Sequence, residues 1–298
     1  MQRMEQGMSK TVDLSALPES CISNILSFTS PRDACRSAAV SSVFRSAAES
    51  NTVWDRFLPS DYQEILSRAI SPPPASILSS KKAFYFHLCD HPLLIDDGKK
   101  SFRLDRCSGK KCFMLGAREL SIIWGDTPEY WSWDSYPESR FQEVAELLNV
   151  CWLEIRGKVE TRVLSPRTTY AAYLVFKLAE ERQGLGLVPA EVFVSFIGDG
   201  VGEVENHNVY LDEYWPSYDP WYPFLSPTVL PPPASLRQPE GQSPREREDG
   251  WMEIEMGEFF NDQGDDGEVQ MCLMEVKGGH WKSGLIVEGI ELRPKQSN

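Results

Sequence analysis

The sequence predicts an α+β chain in two parts, a small helical domain followed by a larger all-β sandwich or jelly roll. Three observations carry this. Over positions 17–58, apolar residues recur at helical spacing behind capping residues. The run Ser71–Pro74 (SPPP) then stops the helical pattern. From Phe113 onward, short β-branched and aromatic runs alternate with turn signals.

A chain of 298 residues has room for two domains, the larger with its own core. Hydrophobic content of 41% and aromatic content of 11% indicate a globular rather than a disordered protein. A formal charge of −14 repels phosphate backbones and anionic lipid, so neither nucleic acid nor a membrane surface is an expected partner. The seven cysteines form no CxxC pair and leave an odd one out, which points to buried free thiols in a reducing compartment. Residues 1–12 read as a disordered N-terminus, and MQRMEQGMSK lacks the apolar segment of a secretion signal. Cytoplasm and nucleus are the expected locations.

The helical domain spans 13–59. Leu17-Pro18-Glu19 starts a helix whose stripe is Cys21, Ile22, Ile25 and Leu26. Ser30 caps a second, with Pro31 at its first position and Asp33 reaching back, ending near Val40. Phe44, Ala47 and Ala48 mark a third. Asn51-Thr52 caps a fourth, carrying Val53, Trp54, Phe57 and Leu58. So few short helices bury little surface, and the domain is marginal by itself.

Positions 60–112 read as a linker region. It holds a helix over Asp61–Ile70, another over Ser79–Cys89, and a hairpin whose arms, Leu93–Ile95 and Ser101–Leu104, flank Asp96-Asp97-Gly98. The β-domain follows over 113–298, with strands expected at Val150–Ile155, Ala172–Leu178, Val192–Ile197, Met252–Met256, Val269–Val276 and Leu285–Leu292. Glu143–Leu148 (EVAELL) is locally helical yet sits between strands. Positions 198–250 form a long connection. Its middle, Glu213–Leu236, is dominated by Pro and aromatics, so it is either a recognition surface or tucked against the domain.

The stretch Arg118–Trp133 (RELSIIWGDTPEYWSW) concentrates indoles around a turn. Leu120, Ile122 and Trp124 share one strand face, Gly125, Asp126 and Pro128 turn the chain, and Trp131 and Trp133 alternate beyond it. Two readings are open: a shallow surface that stacks on sugar rings, or sandwich core. The pattern alone favours core for at least two of the three tryptophans.

This stretch resembles the opening of the phloem protein 2 domain, the Nictaba-type lectin domain of plants. Val150–Val163, Arg167–Leu178, Asp249–Asp262, Gly267–Glu275 and Trp281–Pro294 agree in order. The resemblance implies carbohydrate binding, with Trp124, Trp131, Glu268 and Glu275 at the implicated positions and N-acetylated sugar as ligand. It departs at Met114, where other members carry a further Trp. Likewise LSALPESCISNILSFTSPRDACRSAAVSSVFRSAAESNTVWDRFLP resembles the F-box, with Phe44 where many members have Trp. That resemblance implies docking onto a Skp-type adaptor and, through it, a cullin ubiquitin ligase, using Leu17, Pro18, Ile22, Ile25, Leu26, Pro31, Val40, Phe44, Trp54 and Phe57.

Catalytic patterns are absent from the sequence. Glu268 and Glu275 fall on opposite faces of an unbroken strand, about 23 Å apart at ~3.3 Å per residue. A glycosidase pair needs roughly 5–9.5 Å. Purely structural roles are a strand-end surface carboxylate for Glu268 and a cross-strand partner of Lys277 or Lys282 for Glu275. His87 and His91 share a helix face without a third ligand, and no phosphate loop or cofactor motif occurs. The expectation is a non-catalytic substrate receptor that joins adaptor and cullin to a glycan or glycoprotein. The alternative is a binding protein with a degenerate lectin site that recognises protein targets through 213–236.

Overall fold

Side-chain caps decide where the first helices begin. In the computed structural model, which describes residues 17–197, 206–212 and 241–295, α1 (Glu19–Leu26) opens after Pro18. In α2 (Pro31–Ser37) the Ser30 hydroxyl accepts from the Asp33 N–H at 3.1 Å. It also donates to the Asp33 carboxylate at 2.8 Å. Ser41 caps α3 (Ser42–Glu49). The fourth cap differs from expectation: Ser50 accepts from Thr52, and Asn51 is the first residue of α4 (Asn51–Phe57). The Asn51 side chain instead accepts from the Lys81 N–H, 3.0 Å away.

The chain divides into two units. The first comprises 1–66, 72–91 and 104–109, the second 67–71, 92–103 and 110–298. Positions 60–112 are therefore shared between the units rather than forming a separate linker. The first unit gains α5 (Tyr62–Ser67, all but its last residue), α6 (Ala75–Leu78) and α7 (Lys81–Asp90). Helix α7 supplies what the small helical domain lacks. Trp54 is fully buried against Phe57, Tyr85 and Phe86, with ring centroids 5.1–5.5 Å away. Its indole N–H donates to the Ala48 carbonyl at 2.6 Å.

The second unit opens with the expected hairpin of β1 (Leu93–Ile95) and β2 (Lys100–Leu104). Asp96 and Asp97 take left-handed φ of 53° and 55°, ahead of Gly98 at 77°. There follow β3 (Lys111–Gly116), β4 (Ser121–Ile122), β5 (Trp131–Asp134), β6 (Val144–Leu147), β7 (Leu153–Glu160), β8 (Thr168–Gln183) and β9 (Ala190–Ile197). Then come β10 (His207–Val209), β11 (Arg245–Glu246), β12 (Met252–Asn261), β13 (Glu268–Glu275) and β14 (Ser283–Pro294).

Among the described residues one sheet has nine strands, in the order β1-β2-β3-β14-β8-β12-β11, with β6 joined to β14 and β5 to β6. The other has five, in the order β10-β9-β13-β7-β4. The sheets pack face to face so closely that a Cβ on Gly157 of β7 would meet Ile290 of β14 and Met271 at 3.0 Å each.

EVAELL resolves as strand β6, because Val144, Ala145 and Leu147 are buried and its backbone pairs with β5 and β14. Pairing with two neighbours outweighs a weak local preference. On one face of the larger sheet, Met114, Phe141, Val144, Val175, Trp251 and Ile286 form an apolar cluster. Beside it Glu291 is buried among guanidiniums, accepting from Arg103 at 3.2 Å and Arg247 at 2.8 Å.

Cysteine burial is mixed. Cys89, Cys112 and Cys272 are buried, whereas Cys21, Cys35 and Cys107 are exposed, so burial accounts for only part of the set. The expected disordered N-terminus, 1–12, and the aromatic stretch 213–236 lie outside the described residues.

Candidate functional site

The turn after β4 sets the geometry. Strand β4 is only two residues long, because Trp124 leaves the extended region for a left-handed φ of 59°. An L-residue with a large side chain pays ~1–2 kcal/mol for that conformation, so it persists only where its surroundings impose it. The switch turns the ring out of the strand pattern. Trp124 is 44% exposed, and it packs against Tyr130 at 5.3 Å.

Trp131 takes the opposite fate. It is 2% exposed on β5, and its indole N–H donates to the Ile123 carbonyl at 3.2 Å. The Trp133 N–H donates to the Gly125 carbonyl at 2.8 Å, and the Arg118 guanidinium lies 3.7 Å above the Trp133 ring centroid. Arg118 also makes a fork to Glu143, two bonds of 2.9 Å, which lowers the Glu143 pKa. Between these groups lies an open recess of about 350 Å³, lined by Arg118, Gly125, Asp126, Pro128, Ser132 and the two indoles Trp131 and Trp133. The turn is held by its own side chains; only its outer surface is free to meet a ligand.

Glu268 and Glu275 occupy the two ends of β13, which runs unbroken from one to the other. Glu268 is half-buried at the end that follows the Asp265-Asp266-Gly267 turn, with Lys158 at 3.6 Å. Glu275 is buried at the other end and ion-paired with Lys282, also buried. Lys277 pairs with Glu191 instead. Of the four implicated positions, Trp124 alone is well exposed; Trp131 is buried at the floor of the recess, Glu275 is buried with Lys282, and Glu268 lies a strand's length from Glu275. Met114 is buried in the apolar cluster, so the position is core and not a wall of a surface site.

The ten adaptor positions also divide. Ile22, Leu26, Pro31, Trp54 and Phe57 are buried within the helical domain. Leu17 and Phe44 are half-buried, while Pro18, Ile25 and Val40 are exposed. Phe28, exposed beside Ile25 and covered by Arg56 at 4.3 Å, belongs with them. The i, i+3 spacing of Ile25 and Phe28 was the sequence signal for it.

His87 and His91 stack at 4.5 Å, and among the described residues no cluster of three metal-ligating groups occurs. Nor is any helix among those residues long and apolar enough to cross a membrane.

Comparison with known proteins accounts for both parts. Residues 110–294 match the family pattern of phloem protein 2, and residues 14–60 match an F-box-like pattern. The chain belongs to the phloem protein 2 family. Its relatives in Arabidopsis thaliana include "F-box protein At2g02240", 48% identical over 96% of this chain and 82% of that protein. "F-box protein PP2-B10" is 45% identical over 99% of this chain and 98% of that protein. A Podospora anserina GH26-CBM35 β-(1,4)-mannanase overlaps 63% of this chain and 28% of its own at a TM-score of 0.32 and 8% identity. An F-box-like segment and a phloem protein 2 domain thus occur in one chain.

Proposed function

We propose that the protein is the substrate receptor of a cullin ubiquitin ligase. Its F-box docks a Skp-type adaptor, and its β-domain binds N-acetylglucosamine-bearing glycans or glycoproteins in the cytoplasm and nucleus. The observation that carries the reading is the apolar surface of the helical domain. Ile25, Phe28 and Val40 are large, exposed and borne on a domain whose core is already filled. Large apolar side chains left exposed mark an interaction surface where they gather. Trp124, presented from a strained turn, supports the sugar-stacking half.

The test is co-purification of the full chain with a Skp-type adaptor. Ile25→Asp combined with Val40→Asp is expected to abolish capture at unchanged melting temperature. Capture that survives in the folded variant overturns the adaptor assignment.

A second reading has its own support. Trp131 and Glu275 are buried and Glu268 and Glu275 stand at opposite ends of β13, so the four positions are not equally presented to a ligand. That favours a degenerate lectin site with protein targets, the 213–236 stretch being the candidate recognition segment. A glycan array on the full chain separates the readings.

A further inference from the structure

Two further tryptophans stand at the same end of the five-stranded sheet as Trp124. Trp152, just before β7, is 43% exposed, and Trp281, just before β14, is 51% exposed. They come from segments more than a hundred residues apart, yet Val150 and Lys282 pair through mutual backbone bonds of 2.9 and 2.7 Å.

The join is reinforced from beneath. The ammonium of Lys282 donates to the Cys151 carbonyl at 3.0 Å and to the His280 carbonyl at 2.9 Å, the residues immediately before Trp152 and Trp281. Glu275 neutralises that ammonium and accepts from the Gly278 N–H at 3.0 Å, fixing the turn that leads into Trp281. A buried ion pair contributes little net stability over an apolar pair of the same size. What this one supplies is geometry, because the ammonium's other bonds and the Gly278 bond go to the backbones of the two segments that carry exposed indoles.

The ring of Trp152 is further restrained. Its N–H donates to Glu154 at 2.9 Å, leaving the ring's face as the group free for a ligand. Register also brings this place beside the proposed sugar turn, since the Ile123 N–H donates to the Glu154 carbonyl at 3.1 Å. Half-exposed indoles match a ligand with apolar C–H faces, while Glu154 and Glu275, buried and already paired, hold the platform from beneath. The chain's charge of −14 opposes an anionic one.

We infer that Trp152 and Trp281 form a second sugar-stacking subsite, continuous with Trp124, which takes the further residues of an uncharged oligosaccharide. This rests on the reading of Trp124 as a sugar-stacking ring. Buried Glu275 then serves as a positioning residue for the platform.

The probes are N-acetylglucosamine and its β-1,4-linked trimer, titrated calorimetrically against the full chain. Trp152→Ala and Trp281→Ala are each expected to weaken trimer binding at least roughly tenfold while leaving monosaccharide binding unchanged. On the wild-type chain, oxidative footprinting is expected to show trimer, but not monosaccharide, shielding both indoles; this holds even if a variant fails to fold. Trimer affinity retained in both folded variants, or indoles left unshielded by bound trimer, overturns the subsite and leaves the lectin reading standing. A wild-type chain that binds neither probe overturns the lectin reading and the subsite with it.

Discussion

Trp124→Gly and Trp131→Ala remove the same kind of ring from the two ends of one turn, at opposite expected costs. Trp131 is buried and hydrogen-bonded, so truncation should cost about 3–5 kcal/mol. For a unit of this size, 1 kcal/mol shifts the melting temperature by roughly 2–4 °C, so a fall of roughly 6–20 °C follows. Trp124 buries only about half its surface. Half of roughly 250 Å² at ~25 cal/mol per Å² is about 3 kcal/mol, an upper bound. Glycine recovers ~1–2 kcal/mol of that, since it meets no penalty at a φ of 59°. The net loss is therefore about 1–2 kcal/mol, while binding of an N-acetylglucosamine trimer should fall more than tenfold. Thermal unfolding beside titration calorimetry reads both quantities. A Trp124→Gly variant that melts as low as Trp131→Ala, or that binds sugar normally, refutes the assignment of Trp124 to the surface.

Other expectations concern buried charge and the helical unit. Burial alone would raise the Glu291 pKa, but Arg103, Arg140, Arg247 and Arg293 outweigh it and hold the carboxyl down to about 2. A folded pKa below the unfolded one gives stability that is present above ~4.5 and lost as pH falls towards 2. Glu291→Gln should flatten that part of an acid-unfolding curve. Glu288 has the opposite sign, because burial raises its pKa despite Arg140; its contribution is present at low pH and lost as pH rises through the folded value. Glu288→Gln should therefore cost less stability at pH 7 than Glu291→Gln, as denaturant titration will show. Lys282→Met should cost about 3–5 kcal/mol by leaving Glu275 buried and unpaired, with much of that recovered in the double variant with Glu275→Leu. Ending the chain after Pro59 strips Tyr85 and Phe86 from Trp54, and loss of cooperative melting by circular dichroism is the expected result.

Much of the fold was legible because it is written locally. Ser30-Pro31-Arg32-Asp33 and Asp96-Asp97-Gly98 fix their own backbones, and most main strands lie where β-branched runs placed them, often longer than expected; the strand expected at Val150–Ile155 is displaced to Leu153–Glu160. What was not legible depends on partners distant in sequence. EVAELL becomes a strand only through β5 and β14. Asn51 yields its capping role because Ser50 takes it and Lys81 engages the Asn51 side chain. Trp124 and Trp131 have similar sequence surroundings, and a single left-handed dihedral sends one outward. For Glu275 the alternative role as partner of Lys282 could be stated from sequence, but not its burial. The F-box pattern, for its part, mixes residues that hold the domain together with residues that face outward, and only burial separates Ile22 from Ile25.

The chain passes between its two units at 66/67, 71/72, 91/92, 103/104 and 109/110. Inheritance is constrained by that weaving. A recombination event that moved residues 1–60 onto another protein would carry Trp54 away from α7. One that moved 113–298 would abandon β1 and β2, leaving β3 as a raw sheet edge open to pairing with other chains. No single cut in the chain separates the two units as finished modules. The helical unit and the β-sheet unit are therefore joined through five crossings rather than one.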